Sequence, residues 1–191
     1  MNEELMPTLT YADMVRSSLP EFEEKHKKYG PTLTVLRLYS ILEQIFIKVS
    51  RIRTIQEKKT QLVEDSIEAE FSGIFNYSIF LKIKVRCLKN GLDLDTLYKK
   101  DPVALYKEAL TELESLYAKK NHDYGEVWRQ MRVSSMVDMM LIKTLRFVQI
   151  SDDESREEKD KLGDYDEIAS DIANYAVFCK IRVAEGYNPM K

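Results

Sequence analysis

The sequence predicts an all-α protein, a helical bundle built from two tandem three-helix repeats with pseudo-twofold symmetry. Three observations carry this expectation. Helix breakers are scarce, with six Gly and five Pro in 191 residues, which favours long helices over a many-stranded sheet. Apolar residues recur at three- and four-residue spacing along several segments, the periodicity of a helix face. The chain also matches itself, and self-similarity at a fixed offset is the mark of a repeat.

Sliding the chain by 95 positions places Tyr29-Gly30 on Tyr124-Gly125, Arg37 on Arg132, Ser40 on Ser135, Glu43 on Asp138, Lys48 on Lys143 and Arg51 on Arg146. Beyond a charged loop the offset becomes 98. There "FSGIFNYSIFLKIKV" lies on "ASDIANYAVFCKIRV", with Asn76 on Asn174 and Tyr77 on Tyr175. The expected units are 1–90 and 91–191, packed as one globular body.

Taken in order, the first unit reads as helices over about 11–28, 32–56 and 64–89, followed by "NGLDLDTLYKKDP" as a link. In the second unit a helix starts at Pro102, where proline suits the first turn, and runs to about Lys120. The phrase "DYG" ends it, with Gly125 suited to a left-handed cap. The next helix spans about Val127 to Ile150 and carries Val133, Met136, Val137, Met140, Leu141, Leu145 and Val148 at helical spacing. A solvated acidic run then leads to a third helix, roughly Tyr165 to Glu185. Met139, Ile142 and Phe147 give the middle helix a second apolar side, as expected of a helix buried between neighbours. Two such helices suggest the centre of the bundle, and self-association into a homo-oligomer is compatible with the same pattern.

Composition narrows the function. A net charge of −3 with 32% charged residues lacks the Lys/Arg excess of a nucleic-acid footprint. The N-terminus has no basic region followed by an apolar run, and no window is apolar enough to span a membrane. Cys87 and Cys179 sit in apolar helical patterns and read as inert core thiols. A cytoplasmic protein is expected.

Polar residues on the helices supply the candidate chemistry. Arg132, Ser135, Lys143 and Arg146 share one side of the middle helix, and Arg37, Ser40, Lys48 and Arg51 repeat the stripe in the first unit. Such a stripe is a candidate phosphate groove or a solvated helix face. On the third helix Asp164, Glu167, Asp171 and Asn174 form a polar ridge. Asp138, Glu167 and Asp171 would offer hard oxygen ligands to Mg²⁺ or Mn²⁺, with Asp123 at the loop as a further partner. The competing reading pairs Asp171 and Asn174 with Lys143 and Arg146 as a structural layer. His122 is a candidate base or phosphate contact, and Tyr124 and Trp128 are candidate stacking surfaces for a base. The first unit keeps only Glu43 and Asn76 of the ligand set, with Gly73 in place of Asp171 and Lys28 in place of Asp123. A single site, on the second unit, is therefore expected.

"NHDYGEVW", then R-x-x-S-x-x-D-x-x-x-x-K-x-x-R from Arg132 to Arg146, then "SDIANYAVF" resembles the nucleotide-modification-associated domain family over about Lys119 to Val183. A degenerate second match covers the first unit. The resemblance implies a small all-helical domain tied to nucleotide or modified-base metabolism. "DEIASDIANYAVFCKI" is more loosely similar to the E-x-x-D helix of MazG-like all-α nucleotide pyrophosphohydrolases, with Glu167 and Asp171 as metal-holding candidates. Here the spacing is E-x-x-x-D, and Asp138 stands alone where that group has paired glutamates. The combined expectation is a protein that handles a nucleotide or other phosphorylated small molecule, extending to Mg²⁺-dependent nucleoside triphosphate hydrolysis. Asp123, Asp138, Lys143 and Arg146 would then be catalytic, and His122, Tyr124, Arg132 and Asn174 would bind substrate. The alternative is a non-enzymatic helical scaffold held by buried ion pairs.

Overall fold

Side-chain caps set several of the helix starts. The computed structural model describes residues 9–190, without the side chains of residues 32 and 33; the first eight residues, part of the N-terminus read above as lacking a signal, lie outside them. The helices are α1 (Tyr11–Arg16), α2 (Ser18–Tyr29), α3 (Thr32–Val35), α4 (Leu38–Lys58), α5 (Ile67–Lys89), α6 (Leu94–Lys100), α7 (Pro102–Tyr124), α8 (Val133–Asp152) and α9 (Glu158–Ala184). A single 3-10 turn occupies Val127–Gln130, and no strand occurs among the described residues. Thr10 opens α1 with a capping box to Asp13, Ser66 accepts from the Ala69 N–H at the start of α5, and Asp101 caps α7 ahead of Pro102. Each such cap satisfies a backbone donor that the first helical turn would otherwise orphan.

Several expected boundaries differ. The helix expected over 11–28 breaks at Ser17, because the ring of Pro20 would collide with the Arg16 carbonyl in a continuous helix. The segment expected to be a plain link contains α6, started by Asp93, whose side chain accepts from the Asp95 N–H. The helix expected from Val127 to Ile150 is split by extended backbone at Met131 and Arg132 (ψ 148° and 146°), and the one expected over 32–56 is split at the corresponding Arg37 (ψ 159°). Finally, α9 begins at Glu158 rather than near Tyr165, with Glu158 and Asp160 in its first turn, where negative charge favours the positive end of the helix dipole.

The centre of the molecule also differs from expectation. The most extensive packing joins α5 to α9, with α4 lying on α5 and α8 on α9, and α4 touching α8. It is these third helices of each half that are enclosed on nearly every side. Fully buried Phe71, Ile74, Phe75, Ile79 and Leu81 of α5 share one continuous core with Ile172, Ala173, Ala176 and Cys179 of α9. Each large apolar side chain so removed from water contributes about 1.5–3 kcal/mol. The two apolar sides expected of α8 sort differently: Phe147, expected off the main stripe, is buried on Tyr165 (ring centroids 3.9 Å apart), while Leu145, expected on it, is exposed together with Ile142 and with Phe46 and Ile47 of α4. Both cysteines are free and buried, and burial pushes both thiols up, in keeping with inert core residues.

The two halves are crossed at their first helices. The Tyr11 hydroxyl of α1 donates to Asn174 Oδ1 of α9 at 2.5 Å, and its ring stacks on Tyr117 of α7 at 3.7 Å. Tyr106 of α7 donates to Asn76 Oδ1 of α5 at 2.5 Å and stacks on Phe22 of α2 at 4.2 Å. These residues correspond by the offsets seen in the sequence: Tyr11 with Tyr106, Phe22 with Tyr117, Asn76 with Asn174. Burial drives both phenols upward, Tyr117 adding to the effect on Tyr11. A second polar link joins the halves where Lys82 of α5, nearly sealed from solvent, bonds Asp166 Oδ1 at 2.7 Å and Ser170 Oγ at 2.9 Å on α9. Among the described residues no helix is long and apolar enough to cross a membrane.

Candidate functional site

The offsets that align the two halves in sequence also bring matching residues together around two pockets. In the second half the C-terminal end of α7 carries Lys120 and Tyr124, and Gly125 follows it with φ 62° and ψ −164°. That backbone region is essentially restricted to glycine, and the Gly125 N–H closes the helix on the Asn121 carbonyl. The chain then turns through Trp128 to α8, which supplies Met139 and Lys143, while α9 supplies Asp171, Asn174, Tyr175 and Phe178. These groups surround a depression of about 380 Å³, within the size range of small-ligand sites.

Asp171 is the charged centre of this pocket. Lys120 Nζ contacts its Oδ1 at 2.7 Å and Lys143 Nζ contacts its Oδ2 at 2.6 Å; the carboxylate is 13% exposed, against 42% and 26% for the two lysines. For Lys143 burial is the largest single influence and acts downward. The bond to Asp171, with the negative charges of Asp171 and Glu167 and the Tyr175 phenol, outweighs it and holds the ammonium above the ordinary lysine value. Burial raises Tyr175, reinforced by Asp171 and opposed by Lys143 and Lys120. On one wall Trp128 stacks on Phe178 at 4.5 Å, with the Arg129 guanidinium over its other face at 4.4 Å. Tyr124 stands 73% exposed at the rim.

The first half builds a pocket of about 350 Å³ from the corresponding positions. Lys25 and Lys48 stand where the second pocket has Lys120 and Lys143. Tyr29-Gly30 matches Tyr124-Gly125, Asn76 and Tyr77 match Asn174 and Tyr175, and Phe80 matches Phe178. Gly30 has φ 64° and ψ −151°, and its N–H bonds the His26 carbonyl, the same closure as at Gly125. The difference lies at the centre, where Gly73 stands in place of Asp171. The Lys48 chain runs across that glycine so closely that a Cβ there would meet its Cε at 2.8 Å. Lys48 reaches Glu70 one turn earlier on α5 at 2.9 Å, sharing it with Arg51.

The expected site residues divide into those the fold gathers and those it scatters. Lys143, Asp171, Asn174, Tyr124 and Trp128 line the second pocket. Asp123 is exposed, 2.9 Å from His122, which is exposed as well. Asp138 lies on the outer side of α8 and pairs at 3.3 Å with Arg53 of α4. Glu167 is exposed, and Asp164 pairs with Arg156 at 2.6 Å. Arg132 and Arg146 are exposed, so of the cationic stripe on α8 only Lys143 turns inward. Asp138, Glu167 and Asp171 therefore do not converge, and among the described residues no group of three His, Cys, Asp or Glu side chains is placed to hold a metal ion. Asp171, clamped by two ammonium groups, and Asp138, tied to Arg53, do not fit a Mg²⁺ or Mn²⁺ site. Of the structural layer weighed against it, the Asp171–Lys143 pair is present, but Asn174 bonds Tyr11 rather than Arg146.

Sequence reasoning missed Lys120, Lys25 and Tyr11. The two lysines coincide under the 95-residue offset, so the repeat itself carried the signal. Tyr11 coincides with Tyr106, but only the fold brings it to Asn174.

A tandem, all-helical protein with a corresponding pocket in each half is the class that this architecture defines. The model of the family described as nucleotide modification associated domain 1 matches residues 25–85 and 120–183, and these two matches take in more than half of the chain. The protein belongs to that family, and the double match is consistent with two tandem copies. The similarity to MazG-like pyrophosphohydrolases is not part of what these matches show. No curated protein matches the chain, and no solved structure does.

Proposed function

We propose that the protein binds a nucleotide, or a closely related nucleoside phosphate, in the second pocket and does so without a resident metal. The observation that carries this reading is the Lys120–Asp171–Lys143 triad set in an aromatic-walled pocket of ligand size. Lys120 is the ammonium free to move: at 42% exposed its pair with Asp171 is worth little, about 1 kcal/mol or less. Phosphate oxygens would draw it away, leaving Lys143 to balance Asp171. Tyr124 at the rim offers a face for the base, a contact worth about 1–3 kcal/mol in comparable sites. The family membership supports a nucleotide over other phosphorylated compounds. The dispersal of Asp123, Asp138 and Glu167 favours binding, as an accessory to nucleotide modification, over hydrolysis by a metal-held water.

Trp128 makes the test direct, because it is the single tryptophan in the chain and sits in the wall of this pocket. Titration with a panel of nucleoside mono-, di- and triphosphates, with and without Mg²⁺, should give a saturable change in Trp128 fluorescence for at least one member. Lys120→Ala should weaken that binding about tenfold or more, which corresponds to roughly 1.4 kcal/mol. A phosphate-release assay on the same panel separates binding from turnover. Absence of any Trp128 response across the panel would leave the triad as a structural ion-pair layer and sink the proposal.

A further inference from the structure

We propose that the first pocket is a second binding site, for a small aromatic phosphate. In it the ligand's phosphate takes the place between Lys25 and Lys48 that the Asp171 carboxylate takes between Lys120 and Lys143. The second pocket displays, with its own side chain, how an anion sits between these lysine positions, with two contacts at 2.7 and 2.6 Å. The first pocket keeps both lysines, the Tyr-Gly rim, the asparagine and the aromatic wall, yet has glycine where the anion is rooted. No Asp or Glu lines it among the described residues, whereas His26 does, in the position of Asn121. Its lining thus holds two lysines whose carboxylate partners, Glu21 and Glu70, stand outside it.

The partners now held by these lysines can be released. Lys25 is 53% exposed and pairs with Glu21 within one helix at 2.6 Å, a pair worth only a few tenths of a kcal/mol, and the Asn76 amide still donates to Glu21 at 3.3 Å when Lys25 leaves. Lys48 shares Glu70 with Arg51, so Glu70 keeps a cationic partner when Lys48 turns toward a ligand. Turning would also lift the Lys48 chain off Gly73 and open the space beneath it. For the ring of the ligand, Tyr29 is 57% exposed at the rim, and Tyr77 and Phe80 form the wall behind it. The inference goes beyond the proposed function, which concerns the other pocket, and either can fail alone.

The experiment is calorimetric titration of the full chain with a nucleoside monophosphate, its unphosphorylated nucleoside and inorganic phosphate, run beside Trp128 fluorescence. The expected result is a binding event for the monophosphate that leaves Trp128 unchanged, is competed by inorganic phosphate and is absent or at least tenfold weaker for the nucleoside. Gly73→Asp places a carboxylate between the lysines and should abolish this silent event without touching the Trp128-reported one. Lys25→Ala, at a half-exposed position that the fold does not need, should weaken the event at least tenfold and decides the matter if Gly73→Asp does not fold. The proposal is overturned if every binding heat tracks the Trp128 signal, if the nucleoside binds as well as its phosphate, or if the silent event survives Lys25→Ala. A silent event without any Trp128 response would uphold this site while removing the reading of the other.

Discussion

Asp171 sits between two ammonium groups, and removing its charge strands both. Asp171→Asn should cost about 1–3 kcal/mol, the scale of a partly buried charge-assisted bond, read as a lower urea midpoint. Lys120→Met, at a more exposed partner, should cost less than about 1 kcal/mol. The pH dependence follows from Lys143, whose ammonium is held above the ordinary lysine value, burial opposing and Asp171 prevailing. Its contribution is complete below the unfolded lysine value of about 10.4 and is lost as pH rises through the folded one. The stability gap between the parent and Asp171→Asn should therefore stay constant through neutral pH and narrow in alkali. At this scale recurrence under the offset guided the reading of Tyr124, Lys143 and Asn174, which line the pocket, but not of Arg132 and Arg146, which recur as well and are exposed. The sequence was misleading for Asp138 and Glu167, because helical spacing gives the face of a residue on its own helix but not which neighbour that face meets.

The closing glycines matter at the level of the helix end. Gly30 and Gly125 share nearly the same backbone conformation, and nothing lies within 4 Å of the Cβ that either lacks. Any loss on substitution is thus conformational rather than steric. Gly125→Ala should cost about 1–3 kcal/mol in thermal or urea unfolding, and should loosen the approach of Tyr124 to the pocket. Repetition of "YG" made these ends readable in advance. Other boundaries escaped because their determinants are less visible than a glycine. The break before α2 depends on where the Pro20 ring points four residues back, and α6 hides between Gly91 and Pro102. The start of α9 lies in an acidic run that looks like solvated loop, until one counts the charges as first-turn residues.

In the whole molecule, the crossed tyrosines determine what counts as a complete unit. Tyr11→Phe leaves Asn174 Oδ1 without its donor in a buried setting and should cost about 1–3 kcal/mol, as should Tyr106→Phe at Asn76; denaturant curves on both variants check this. The helical class and the duplication were legible because both are written in local spacing. The identity of the central helices was not, because α5 and α9 are surrounded by partners that no single helix pattern names. The crossing itself bears on assembly. A fragment of residues 91–191 lacks Tyr11 but carries Tyr106 at the corresponding position, so two such fragments can supply each other's missing tyrosine. It should sediment as a concentration-dependent dimer that Tyr106→Ala returns to monomer; a fragment monomeric at all concentrations would refute this. Tandem fusion turns that second-order encounter into a first-order closure at an effective concentration on the order of millimolar. An assembly that dilution would dissolve in two pieces is thereby made indifferent to how little of the protein a cell contains.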